Sequence, residues 1–206
     1  MNTHARAHRW RVGHALLAFL ALTLGSSEGL SQNPPRAMLQ IIPDDGMPLR
    51  IERMEDMPPK LAAALEREDC QLDDAMLLTF RVEIFRPSPV AKLIAIVPCG
   101  GVALYGRAYQ FNGGIDSEPR PIAFAVMALV GRTTRTDSPG LLTWNPLTKL
   151  LISLEGNDVC EGTVTRHTWR QGGSGVPNGF TLIKVERGRS GCGASEDWRV
   201  VWERPE

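Results

Sequence analysis

The sequence predicts a mainly β fold of the α+β class: antiparallel meander sheets, one short N-terminal helix, and two disulfides as staples. Three observations carry this reading. Short segments alternate polar and apolar residues with a period of two, and clusters of Gly, Pro and Asn separate them. Lys60–Asp69, KLAAALERED, is the stretch with helical composition and spacing. Four cysteines, an even number, follow a leader-like N-terminus.

The leader sets the chemical surroundings of everything after it. Arg6, Arg9 and Arg11 precede an apolar run from Ala15 to Leu24, and Gly25, Ser26 and Ser27 follow. A basic segment, a short apolar core and a small-residue exit describe a secretory signal peptide. The run is too short for a bilayer, which takes ~20 residues, and no later segment is apolar for long enough. The expected organisation is a signal peptide over 1–28, an extended arm over 29–56 and a single mainly-β domain over 57–206. Its expected location is periplasmic or secreted. The 206 residues carry 23 basic and 23 acidic side chains, and removing the leader leaves 20 against 22. That balance gives no electrostatic case for nucleic acid or anionic lipid as partner.

In an oxidising compartment Cys70, Cys99, Cys160 and Cys192 are expected to form two bridges. Sequence permits three connectivities. Cys70–Cys99 with Cys160–Cys192 is favoured because each closes a modest loop around a local group of strands. A thiolate metal site would use CxxC spacing, which the chain lacks; no metal and no cofactor are expected.

The elements follow in order. Gln32–Pro59 reads as an arm with one short strand at Pro48–Arg53. Asp56-Met57-Pro58-Pro59 marks a helix start, with prolines suited to a first turn, and the helix ends near Cys70. Strand signals begin after Met76: Phe80, Val82 and Ile84 alternate with Arg81, Glu83 and Phe85. Lys92–Val97 is continuously apolar, as a central strand would be, and Pro98-Cys99-Gly100-Gly101 should stop it. Val102–Phe111 resumes with Tyr105, Arg107 and Tyr109 on one face, and Asn112-Gly113-Gly114 turns the chain. Pro121–Val130 reads as a buried strand, with a helix as the alternative. Leu141–Trp144, a turn at Asn145–Thr148, and Lys149–Leu154 form a hairpin. Thr163–Arg170 and Phe180–Val185 flank a glycine-rich loop, Gln171–Gly179. In the last strand Trp198, Val200 and Trp202 share a face directed at the core.

Several features together resemble a bacterial periplasmic family catalogued only as a domain of unknown function. They are the Ala/Leu helix Leu61–Cys70 followed by Asp73 and Asp74, and the strand closing on Val97-Pro98-Cys99-Gly100-Gly101 before the aromatic strand Val102–Phe111. Later come Leu142, the turn Trp144–Thr148, Gly156-Asn157-Asp158-Val159-Cys160, Trp169, Phe180 and Cys192. The resemblance spans roughly residues 60–204, and the segment after Cys99 departs from it. It implies a periplasmic location and disulfide-stapled β structure, and no activity.

Residues fit for catalysis are few. His4, His8 and His14 lie in the leader, leaving His167, which sits mid-strand and reads as a partly exposed strand residue. Any histidine-dependent nucleophile or metal site must pass through it. Gly188-Arg189-Ser190-Gly191-Cys192-Gly193 misses the G-x-S-x-G spacing of a nucleophile turn. Gln171-Gly172-Gly173-Ser174-Gly175 precedes a strand, whereas a phosphate cradle precedes a helix. The acids Asp44-Asp45, Glu52-Glu55-Asp56, Asp73-Asp74 and Asp158-Glu161 nominate no pair at glycosidase spacing and read as solvated surface groups.

The best candidate surface is the aromatic and arginine set Trp144, Trp169, Arg170, Arg187, Arg189, Trp198, Arg199, Trp202 and Arg204, with Trp169, Arg170 and His167 at its centre. Such sets suit sugars, anions and protein hot spots. The favoured expectation is a non-catalytic module binding an envelope protein or glycan; the alternative is a secreted hydrolase using carboxylates that sequence does not pair.

Overall fold

The structure, a computed structural model, describes residues 42–43, 45–100, 104–128, 131–156, 162–172, 179–189 and 197–205. All belong to one compact unit, Pro34–Glu206. Residues 1–41, within which the signal peptide is expected, the glycine-rich loop from 173 to 178, Ser190, Cys160 and Cys192 lie outside the described residues.

The fold is mainly β and antiparallel. Strands β1 (Leu49–Ile51), β2 (Val82–Phe85), β3 (Leu93–Cys99), β4 (Tyr105–Phe111) and β5 (Pro119–Pro121) form a first meander in that order. Strands β8 (Leu141–Asn145), β9 (Leu150–Gly156), β10 (Thr163–Gln171), β11 (Phe180–Arg189) and β12 (Arg199–Glu203) form a second. A small hairpin, β6 (Phe124–Met127) with β7 (Thr133–Thr136), lies between them in sequence. Two helices, α1 (Pro59–Arg67) and α2 (Asp74–Thr79), precede the main strands.

Alternation along β3 divides the interior in two. Leu93, Ala95, Val97 and Cys99 join Leu61, Ala64, Leu65 and Leu77 of the helices in one core, together with Ile84 and Tyr109. Ile94 and Ile96 point the other way, into a second core with Phe85, Trp144, Leu151, Trp169, Phe180, Leu182 and Val185. The first sheet is thus covered by helices on one face and by the second sheet on the other. A strand buried on both faces reads as an unbroken apolar run, which is why Lys92–Val97 looks as it does.

Several elements differ from expectation, each for a local reason. Two helices are present where one was expected. Asp73, read as a surface acid, caps α2 by accepting from Met76 N at 2.7 Å. Asp74 accepts from Met54 N at 2.7 Å, and Phe80 becomes the C-cap of α2. Strand β3 runs through Pro98, which pairs with Gly106. Gly106 gives its own N–H to Gly140 O at 2.9 Å, so this pair exchanges no ladder bond and the missing proline N–H costs nothing there. Pro121–Val130 is not one strand: the chain leaves the first sheet after β5 and starts β6 at Phe124.

In β12 a register shift sets Trp202 opposite Val185 and Val200 opposite Glu186. The intervening bulge puts Trp202 and Val200 on opposite faces, and Val200 is 50% exposed. The single core-facing row expected for Trp198, Val200 and Trp202 therefore does not form. Of the two expected disulfides, Cys70–Cys99 is present, with a sequence separation of 29; the Cys160–Cys192 pair falls on residues outside the described set. The short strand expected in the arm is β1, paired with β2 through Leu49–Ile84 and Ile51–Val82.

Candidate functional site

Trp144, Trp169 and Trp202 lie on strands of the second sheet, and Trp198 immediately precedes β12. Trp169 is 0% exposed; its Nε1–H donates to Ala125 O at 2.9 Å, and its ring tilts against Phe124 at 5.1 Å. Trp144 stacks on Phe85 at 4.5 Å and donates Nε1–H to Gly46 O at 2.7 Å. Both indoles are apolar cores with one satisfied polar handle. Arg170, the next residue along β10, points to the opposite face and is exposed. His167, expected to be partly exposed, is 0% exposed. The structure does not bring Trp169, His167 and Arg170 together as an accessible surface, because two face inward and one outward.

The arginines of the same set do converge. Arg187, Arg189 and Arg199 line a cavity of about 370 Å3 together with Thr163, Gly188 and Asp197. Arg187 and Arg199 are direct cross-strand partners on β11 and β12, and Thr163 lies opposite Arg189 on β10. Like charges placed directly opposite destabilise a sheet. Among the described residues none of these three arginines makes a salt bridge, whereas Arg166 and Lys184 on the outer face both pair with Glu186 at 2.8 Å. The Arg166 hydrogen bond holds the Glu186 carboxyl below the usual carboxylate range. Gly188 lets this end of the sheet close: an added Cβ would stand 3.0 Å from the Trp198 ring, which also carries the Arg166 guanidinium at 4.2 Å.

Two residues along the same face from the Arg187 position lie polar groups that alternation alone did not single out. Ser153 and His167 are cross-strand partners on β9 and β10, both 0% exposed. His167 Nε2 accepts from Met127 N at 3.4 Å, which leaves the imidazole proton on Nδ1. Burial lowers the His167 pKa from its ordinary 6.5 and the Arg187 charge adds to the effect, against an opposing contribution from the Met127 backbone. His167 Nδ1, Ser153 Oγ and Arg187 Nε are all buried without a hydrogen-bond partner. Each such orphan costs about 1–3 kcal/mol. The sequence signal for Ser153 is a hydroxyl on the apolar-facing row of Leu150–Leu154, where Leu151 is buried.

A second polar cluster ties α1 to the first sheet. Tyr109 OH donates to Glu68 Oε2 at 2.8 Å, and Arg107 pairs with the same oxygen. Burial and the Glu68 carboxylate push the Tyr109 phenol well above its ordinary range. This cluster ties the C-terminal end of α1, next to Cys70, to β4.

Several of the carboxylates that the sequence singles out serve turns and ion pairs. Asp45 accepts from Met47 N at 2.8 Å, Glu52 pairs with Arg81 at 3.1 Å, and Glu55 with Arg53 at 2.8 Å. Among the described residues no group of three His, Cys, Asp or Glu side chains could hold a metal ion, and no helix is long and apolar enough to cross a membrane. Asp44, Asp158 and Glu161 lie outside them. The chain matches no family model, no curated protein and no solved structure.

Proposed function

We propose that this chain is an exported, non-catalytic binding module of the bacterial envelope, and that its recognition site is the arginine cavity at the end of the second sheet. The supporting observation is an excess of positive charge: Arg187, Arg189 and Arg199 line one cavity against a single carboxylate, Asp197, among its lining residues. Guanidinium groups present rigid donor forks that fit carboxylate and phosphate oxygens. An anionic group on an envelope protein or glycan would relieve the repulsion between Arg187 and Arg199. The leader over residues 1–28, its removal on export, a second bridge between Cys160 and Cys192, and kinship with the periplasmic family of unknown function belong to the same proposal. They are supported by the basic–apolar–small pattern of the N-terminus and by the Cys70–Cys99 bond, which suits an oxidising compartment.

Calorimetric titration of the full chain with oligogalacturonate and with oligoglutamate tests the site. The expected result is salt-sensitive binding of at least one of them, weakened about tenfold in an Arg189→Ala, Arg199→Ala variant. Binding of neither, or equal affinity of variant and wild type, would remove the arginine cavity as the recognition site.

A further inference from the structure

We infer that Ser153, His167 and Arg187, the last of which also lines the arginine cavity, form a buried anchor for one oxyanion group, carboxylate or phosphate. The inference rests on the cavity reading above, since Arg187 belongs to both. Its own basis is the pairing of hydrogen-bond groups. Arg187 Nε–H can only donate. His167 Nδ1–H can only donate, because Nε2 already accepts from Met127 N. Ser153 Oγ completes the set, and none of the three has a partner.

The sheet register places them at neighbouring positions on one face. Ser153 and His167 are directly opposite, a separation of about 4.5–5.5 Å between Cβ atoms. Arg187 lies two residues beyond Val185, the partner of His167 on β11. Two residues along a strand point to the same face, so its long side chain shares the His167 row. A group that satisfies this set must accept at least two hydrogen bonds. Because one donor is a permanent cation without an ion pair among the described residues, the matching group carries negative charge. An apolar filler would leave the donors bare, and a cation would be repelled.

His167 also supplies the reporter. The full chain, labelled with 15N-histidine, is titrated with inorganic phosphate and with acetate at constant ionic strength. The buried imidazole resonance is assigned by its loss in His167→Gln. The expected result is a saturable shift of that resonance with at least one anion, and about fivefold weaker affinity in Ser153→Ala, the loss of one hydrogen bond to a charged acceptor. No saturable shift with either anion, as when a water molecule alone fills the site, overturns the anchor. So does equal affinity in Ser153→Ala.

The Arg189→Ala, Arg199→Ala variant separates this result from the wider reading. If it loses oligo-anion binding while Ser153→Ala and His167→Gln keep it at wild-type strength, the anchor fails and the cavity stands. If it binds oligo-anions like wild type while the imidazole still responds to the small anions, the cavity reading fails and the anchor stands. A response to phosphate alone assigns the anchor to phosphate groups, and a response to acetate assigns it to carboxylates, as in uronic acids and acidic peptides.

Discussion

His167 couples the interior to pH. Its pKa is lowered by burial from an ordinary value of 6.5, so the folded protein resists protonation that the unfolded chain accepts. Between the two pKa values the unfolded state binds more protons, and stability therefore falls as pH drops below about 6.5. Denaturant midpoints of wild type at pH 8 and pH 5 should differ by more than those of His167→Gln; parallel behaviour would show that another group dominates. This residue also shows what local patterning leaves out. Alternation along Thr163–Arg170 correctly puts His167 and Trp169 on one face. It does not say that this face meets a second sheet, so an accessible pair was expected where a buried one exists. The arginines at 187, 189 and 199 belong to the aromatic and arginine set, but the sequence pattern ends their strand at Val185, whereas β11 runs to Arg189, so their convergence was not legible.

At the scale of elements, composition served well where one residue type controls the outcome. The turn at Asn145–Thr148 is fixed by the Asn145 side chain, which accepts from Leu147 N and Thr148 N at 3.0 and 3.1 Å. Continuous apolarity marked β3 as central. Composition failed where a partner elsewhere in the chain decides. Pro98 is tolerated only because Gly106 bonds away from it, and the β12 bulge answers to β11. Gly106 also lets β4 and β8 approach: a Cβ there would lie 2.7 Å from Leu142 N and 2.9 Å from Gly140 O. Both obstacles are backbone, so no rotamer change relieves them. Gly106→Ala should lose about 1–3 kcal/mol in chemical denaturation, and an unchanged midpoint would mean that the two strands separate at little cost.

Across the whole molecule, the helix layer is held to the first sheet by one covalent bond as well as by packing. Cys70 follows α1 and Cys99 ends β3; closing their 29-residue separation restricts the unfolded chain by about 3–4 kcal/mol. A Cys70→Ala, Cys99→Ala variant, compared under non-reducing conditions so that other cysteines are undisturbed, should lose stability on that scale in urea unfolding. A loss below about 1 kcal/mol would mean that the buried contacts of α1 with the sheet already do the work of the bond. The mainly β class and this pairing were readable from strand spacing and cysteine count. The layering was not, because which meander covers which face depends on contacts between segments far apart in the chain.

The division of the interior by β3 has a consequence for how damage spreads. Loosening on the helical side, whether from lost sulfur chemistry or a trimmed side chain, strikes a compartment that shares a wall with the aromatic one but few of its occupants. The end of the molecule where guanidiniums gather is built against the aromatic compartment, and so can keep its shape while the helical flank softens.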